Sequence, residues 1–132
     1  MRKRLMHASL VLMALCIYLQ WGRGVSVKNT ISSSQDGKRT EHMTIVANKL
    51  YIGDKEEFAR KMIETCINNE FRDVRFSYDM GYPVEISMDV YTNETSWRRG
   101  TRCFEVLFAQ PEEDRYRYNV KDDWERFVMT VK

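Results

Sequence analysis

Among side chains able to attack a carbonyl, bind a metal or carry a proton, the chain holds three cysteines (Cys16, Cys66, Cys103) and two histidines (His7, His42). A catalytic cysteine needs a base beside it to form the thiolate. Only His42 could serve Cys66 or Cys103, and it sits at the end of a polar stretch, so no Cys–His pair is expected. Without C-x-x-C or H-x-x-x-H spacing the usual ligand sets of a zinc site are missing, and neither a metal nor a cofactor is expected. No Ser-His-Asp set, Gly-rich phosphate loop or nucleophile elbow can be assembled along the chain. A hydrolase would have to rely on carboxylates, and no pair stands out among the 19 acidic residues.

The patch best suited to a partner is Trp97, Arg98 and Arg99 with Arg102. Tryptophan and arginine dominate interface hot spots, although Trp97 folded back onto the core with solvated arginines would use the same residues. Tyr116 and Tyr118 alternate with Arg115 and Arg117. That pattern could form a stacking platform, but an ordinary strand, with aromatics inward and arginines in water, is the expected reading. Glu112, Glu113, Asp114, Asp122 and Asp123 are acidic, but they do not form the spaced loop that binds calcium. Asn93-Glu94-Thr95 is a glycosylation sequon.

Compartment is read from the first 24 residues. Arg2, Lys3 and Arg4 precede a run, 5–21, without Asp, Glu, Lys or Arg, and a basic start followed by an apolar segment engages the export machinery. The run has 17 residues, at the lower limit for spanning a bilayer. Cleavage after Gly24 or Ser26 would leave small residues at the −1 and −3 positions. A cleaved signal over 1–24 and a retained anchor are therefore both expected, the cleaved form first. Four of the 21 basic residues (Arg2, Lys3, Arg4, Arg23) and none of the 19 acidic ones lie in 1–24, so 17 remain against 19, a formal −2. That balance excludes a nucleic-acid partner argued from bulk charge.

Export also bears on the two later cysteines. In an oxidising compartment Cys66 and Cys103 form a candidate disulfide. The bridge would close a loop of about 38 residues, for which chain entropy gives about 3–4 kcal/mol. Two buried thiols acting as small hydrophobes are the alternative.

The remaining residues must supply one small domain. The segment 25–41 is polar and Ser-rich, with Asp36-Gly37 as a turn signal, and reads as a flexible linker before a domain over 42–132. A strand is expected over 43–52. Asp54 with Glu57 three residues on then starts a helix, and Phe58, Ala59, Met62, Ile63, Cys66 and Ile67 form its apolar stripe. Period-2 alternation predicts strands over 73–80 and 84–91, joined as a hairpin through Gly81-Tyr82-Pro83. Further strands are expected over 103–110, 115–120 and 125–131. The fold class is α+β: one amphipathic helix packed on an antiparallel sheet of four to five strands, in the order β-α-β-β-β-β. In element order alone this resembles the cystatin-like architecture. The Gln-x-Val-x-Gly stretch of those inhibitors is absent, so their function is not implied.

These readings converge on a small exported binding or accessory module, secreted after signal cleavage or tethered by one N-terminal segment. Its expected partner is another protein or a cell-surface component, with membrane contact only through residues 5–21 if the leader stays attached. The alternatives are a membrane-anchored structural subunit of a larger assembly and a carboxylate-based hydrolase.

Overall fold

The helix that the capping signal announces forms over Lys55–Ile67 (α2), and Asp54 accepts a hydrogen bond from the Glu57 N–H at 3.0 Å. The computed structural model describes residues 1–35, 38–76, 78, 81–111, 113 and 117–132. The fold is mixed α+β. Among the described residues there is one sheet of five strands with three α-helices.

The chain begins with helix, not strand. Arg2–Ile17 (α1) continues as a π turn over Tyr18–Gly22. β1 (Ser26–Gln35) and β2 (Lys38–Val46) form an antiparallel pair. β3 (Glu85–Tyr91) follows α2, and α3 (Glu94–Arg99) leads to β4 (Phe104–Ala109). A short 3-10 turn at Trp124–Arg126 precedes β5 (Val128–Val131). The expected order β-α-β-β-β-β is thus corrected to α-β-β-α-β-α-β-β, and the cystatin-like analogy loses the element order it rested on.

Three differences have identifiable causes. The flexible linker expected over 25–41 is largely strand. β1 is a sheet edge, where one side stays wet and no alternating apolar pattern is required, so its serines hide it. The Asp36-Gly37 turn lies outside the described residues, but Gln35 pairs with Lys38 on either side of it.

The strand expected over 73–80 is absent among its described residues, and with it the hairpin to 84–91. The Asn69 carboxamide bonds to both backbone groups of Phe76, accepting from its N–H and donating to its carbonyl at 2.8 Å each. Those are the groups a ladder would need. Phe76 is buried and Tyr78 packs beside it without a strand. Finally, the sheet is not antiparallel throughout. β2 and β3 are parallel neighbours, and α2 supplies the crossover that such a pair requires. In the remaining expected strand, over 115–120, positions 115 and 116 lie outside the described residues and none of 117–120 is strand.

α2 lies on one face of the sheet. Its Phe58, Ala59, Met62, Ile63 and Cys66 are buried against Met43 and Ile45 of β2, Ile86, Met88 and Val90 of β3, and Phe104, Val106 and Phe108 of β4. Phe58 meets Phe104 edge-to-face, with ring centroids 6.2 Å apart. The opposite face of the sheet carries the half-exposed alternate residues, and it is there that polar side chains gather.

Candidate functional site on the open face of the sheet

The strand register decides which polar residues meet. His42 of β2 pairs with Ile31 of β1 and Ser87 of β3, and Ser87 pairs in turn with Leu107 of β4. One row further along, Thr44, Asp89 and Glu105 are partners. The His42 ring bridges the two rows, with Nδ1 2.7 Å from Ser87 Oγ and Nε2 3.1 Å from Asp89 Oδ2. An ionised carboxylate only accepts, so Nε2 carries the proton; in the neutral ring Nδ1 then accepts from the Ser87 hydroxyl. Arg102 Nη1 donates to Asp89 Oδ1 at 3.1 Å and to Glu105 Oε1 at 2.8 Å. Asp89 is thereby shared between a histidine and an arginine.

This is the Ser-His-Asp set that could not be assembled along the chain. Forty-five residues separate His42 from Ser87, and only the parallel β2–β3 register, which local patterns do not announce, brings them together. The cluster lies on the sheet surface, with 42 % of the His42 side chain exposed, so it can donate and accept toward a partner.

The expected partner patch divides in two. Arg102 belongs to the open-face cluster. Trp97 instead sits on α3 with the Lys28 ammonium 4.8 Å above its ring, and Lys28 also pairs with Glu94. Arg98 and Arg99 are exposed in the last turn of α3, where cations complement the carbonyl end of a helix. Gly100 then ends the helix at φ 71°, in the left-handed region that a C-terminal cap favours. Asn93 of the sequon is the N-cap of α3, accepting from the Ser96 N–H.

Of the two readings of Cys66 and Cys103, the disulfide is absent: both cysteines are free. Phe58, in the first turn of α2, already lies on Phe104, the neighbour of Cys103. Cys66 is two turns further along the helix, about 12 Å at 1.5 Å per residue, away from the end of α2 that meets Phe104. The Cys66 sulfur is 3.9 Å from the Tyr78 hydroxyl, and that hydroxyl donates to the Cys66 carbonyl at 2.5 Å. Burial pushes the Cys66 thiol up to about 12, so it is no nucleophile at neutral pH. The sheet also separates it from His42, which lies on the other face.

Of the remaining candidates, Arg115, Tyr116, Glu112 and Asp114 lie outside the described residues. Tyr118 is half-buried with the Arg126 guanidinium 4.2 Å from its ring. Asp122 accepts from the Asn119 amide at 2.9 Å and serves a turn. Among the described residues no three His, Cys, Asp or Glu side chains converge on a point that could hold a metal ion.

Two grooves flank α2, and the cluster lines neither. One, of about 770 Å³, runs between α2 and β5 and includes Ile63, Ile67, Phe108, Trp124 and Met129. The other, of about 400 Å³, lies where the N-terminal helix meets the domain and includes Trp21, Lys49, Tyr51 and Phe58.

At that junction Gln20 is the one buried residue of the Arg2–Gly22 helix. Its Oε1 accepts from the N–H groups of Leu50 and Tyr51 at 2.8 and 3.1 Å, and its Nε2 donates to the Tyr51 carbonyl at 2.8 Å. Lys49 Nζ donates to the Gln20 carbonyl at 2.9 Å. The helix is long and apolar enough to cross a membrane, as a signal sequence or an anchor would be.

Comparison of the chain with protein-family models, with curated proteins and with solved structures finds no match.

Proposed function

We propose that the protein is an extracytoplasmic binding module held at a membrane by its uncleaved N-terminal helix. Two surfaces would present it to a protein or cell-surface partner: the open-face cluster that includes Arg102, and α3 with Trp97, Arg98 and Arg99. The observation that carries the reading is Gln20. Apart from that residue the helix is unburied, and apolar surface of this extent requires a cover. A bilayer supplies one, with Arg2, Lys3 and Arg4 kept on the cytoplasmic side.

Cleavage after Gly24 or Ser26 would remove Gln20 and strip the polar groups of Leu50 and Tyr51 of their partner. Retention of the helix is therefore favoured over removal, and the same retention is compatible with a subunit of a larger assembly. Intact-mass measurement on membrane and secreted fractions tests this. The full chain is expected in the membrane fraction, with the same mass before and after reduction because its thiols are free. A secreted form lacking 1–24 sinks the anchored reading.

A second reading rests on Ser87, His42 and Asp89, whose alignment would let the hydroxyl attack an ester or amide carbonyl while His42 takes its proton and passes it to the alcohol or amine that leaves. A fluorophosphonate probe separates the two. An adduct on Ser87 that disappears in His42→Ala favours a hydrolase, and an unlabelled Ser87 leaves the cluster as a recognition surface.

A further inference from the structure

We infer that the loop Lys49–Ile52 is a second membrane contact, lying in the outer lipid interface beside Trp21; this rests on the anchored reading above. The first argument is depth. Arg4 marks the inner boundary of the apolar run, and Gln20 lies 16 residues later, about 24 Å along a helix rising 1.5 Å per residue. The hydrocarbon core is about 30 Å thick, so Gln20 stands about 6 Å inside the outer boundary, a gap that narrows when the Arg4 side chain extends back to the inner interface. Hydrogen bonds from Leu50, Tyr51 and Lys49 to Gln20 fix the loop at that same depth.

The second argument is composition. Trp21, Tyr51 and Leu50 are 68, 64 and 47 % exposed. Amphipathic rings favour the headgroup level, and Lys49 and Arg23 beside them can extend their cations toward phosphates. The cleft also includes Lys61, with Asp54 and Glu57 as its acids, so lipid charge is not what selects the surface.

The third argument concerns the backbone. Irregular chain near hydrocarbon is tolerated only when its polar groups are satisfied within the protein. The Gln20 carboxamide does this for the N–H groups of Leu50 and Tyr51 and for the Tyr51 carbonyl, while Arg23 donates to the Leu19 carbonyl at 2.9 Å. A polar residue near the end of an apolar helix thus lets the adjoining loop enter the interface.

The test uses the full chain in phosphatidylcholine vesicles carrying bromines at shallow acyl positions, which quench nearby tryptophan. Three variants each keep one tryptophan: Trp21 (W97F, W124F), position 50 (L50W with W21F, W97F, W124F) and Trp124 (W21F, W97F). Emission from Trp21 and from position 50 should fall by about the same factor, twofold or more, with Trp124 unaffected. Quenching of Trp21 without position 50 overturns the loop contact and leaves the anchor standing. Quenching of neither overturns both, and equal quenching of Trp124 overturns the assignment to this loop.

Discussion

α1 and α2 are of similar length and opposite design. The 16 residues of α1 include none that is buried, whereas five of the 13 in α2 are. α2 separates its residues into a stripe that meets the sheet and a face of Lys55, Arg60, Lys61 and Glu64 that meets water. α1 has no polar face to offer. One helix is therefore completed by its own domain, and the other is not. The domain reaches the end of that second helix at one polar residue, Gln20, and the loop bonded to it.

The contrast breaks most sharply under the same substitution in each helix. Ile63→Asp places a charge among Phe58, Met62 and the sheet, a loss of several kcal/mol where no partner is available. The variant should lose its cooperative thermal transition, observed by circular dichroism. Leu12→Asp, near the middle of the exposed helix, should leave that transition within about 0.5 kcal/mol. Its effect should instead fall on the membrane, where an acid at the centre of a span costs about 2.5–3.5 kcal/mol, seen as protein moving out of the membrane fraction. A folding defect in Leu12→Asp would mean that the domain covers α1 after all.

Two smaller changes sharpen the comparison at the helix ends. Gln20→Ala removes three hydrogen bonds to the backbone of Leu50 and Tyr51 and should destabilise the domain by about 2 kcal/mol, at about 0.5–1.5 kcal/mol per bond, while the chain stays in the membrane fraction. Asp54→Ala removes the α2 cap and should cost about 1 kcal/mol. Thermal melts of both in one detergent give the ranking. If Gln20→Ala costs less than Asp54→Ala, the junction is not part of the fold.

What could be read from the sequence follows from how local each signal is. α2 begins at its expected cap and carries its expected stripe because both the Asp54 cap and the apolar residues lie within the segment. β3 and β4 are legible for a similar reason, since alternation over 84–91 and 103–110 matches one covered and one wet face. β1 gives no such signal because a Ser-rich edge strand satisfies its backbone with few apolar residues, Val27 and Ile31. The alternation over 73–80 misleads, because Asn69, outside that segment, captures the backbone of Phe76. The site shows the same limit. Arg102 is found as a neighbour in sequence of Trp97, yet its partners are Asp89 and Glu105, and the Ser87–His42 contact depends on a register between distant strands.

The smallest effect separates the cysteines that the two helices carry, exposed Cys16 and buried Cys66. In detergent at pH 8 a maleimide should modify Cys16 and leave Cys66 untouched until the domain unfolds, as mass mapping would show. Stability follows from the same burial. The folded state holds Cys66 protonated up to about 12, against an ordinary value of 9.0, so above pH 9 the unfolded chain binds fewer protons than the folded one. Stability from this group is therefore complete below pH 9 and is lost as pH rises toward 12. Burial also holds the Tyr78 hydroxyl above its usual value of 10.0, and its contribution begins to fall only past that point. Between pH 9 and 10 the melting temperature should decline in the native chain and decline less in Cys66→Ala. Equal declines would mean that the Cys66 thiol is not held protonated by the covered face of the sheet.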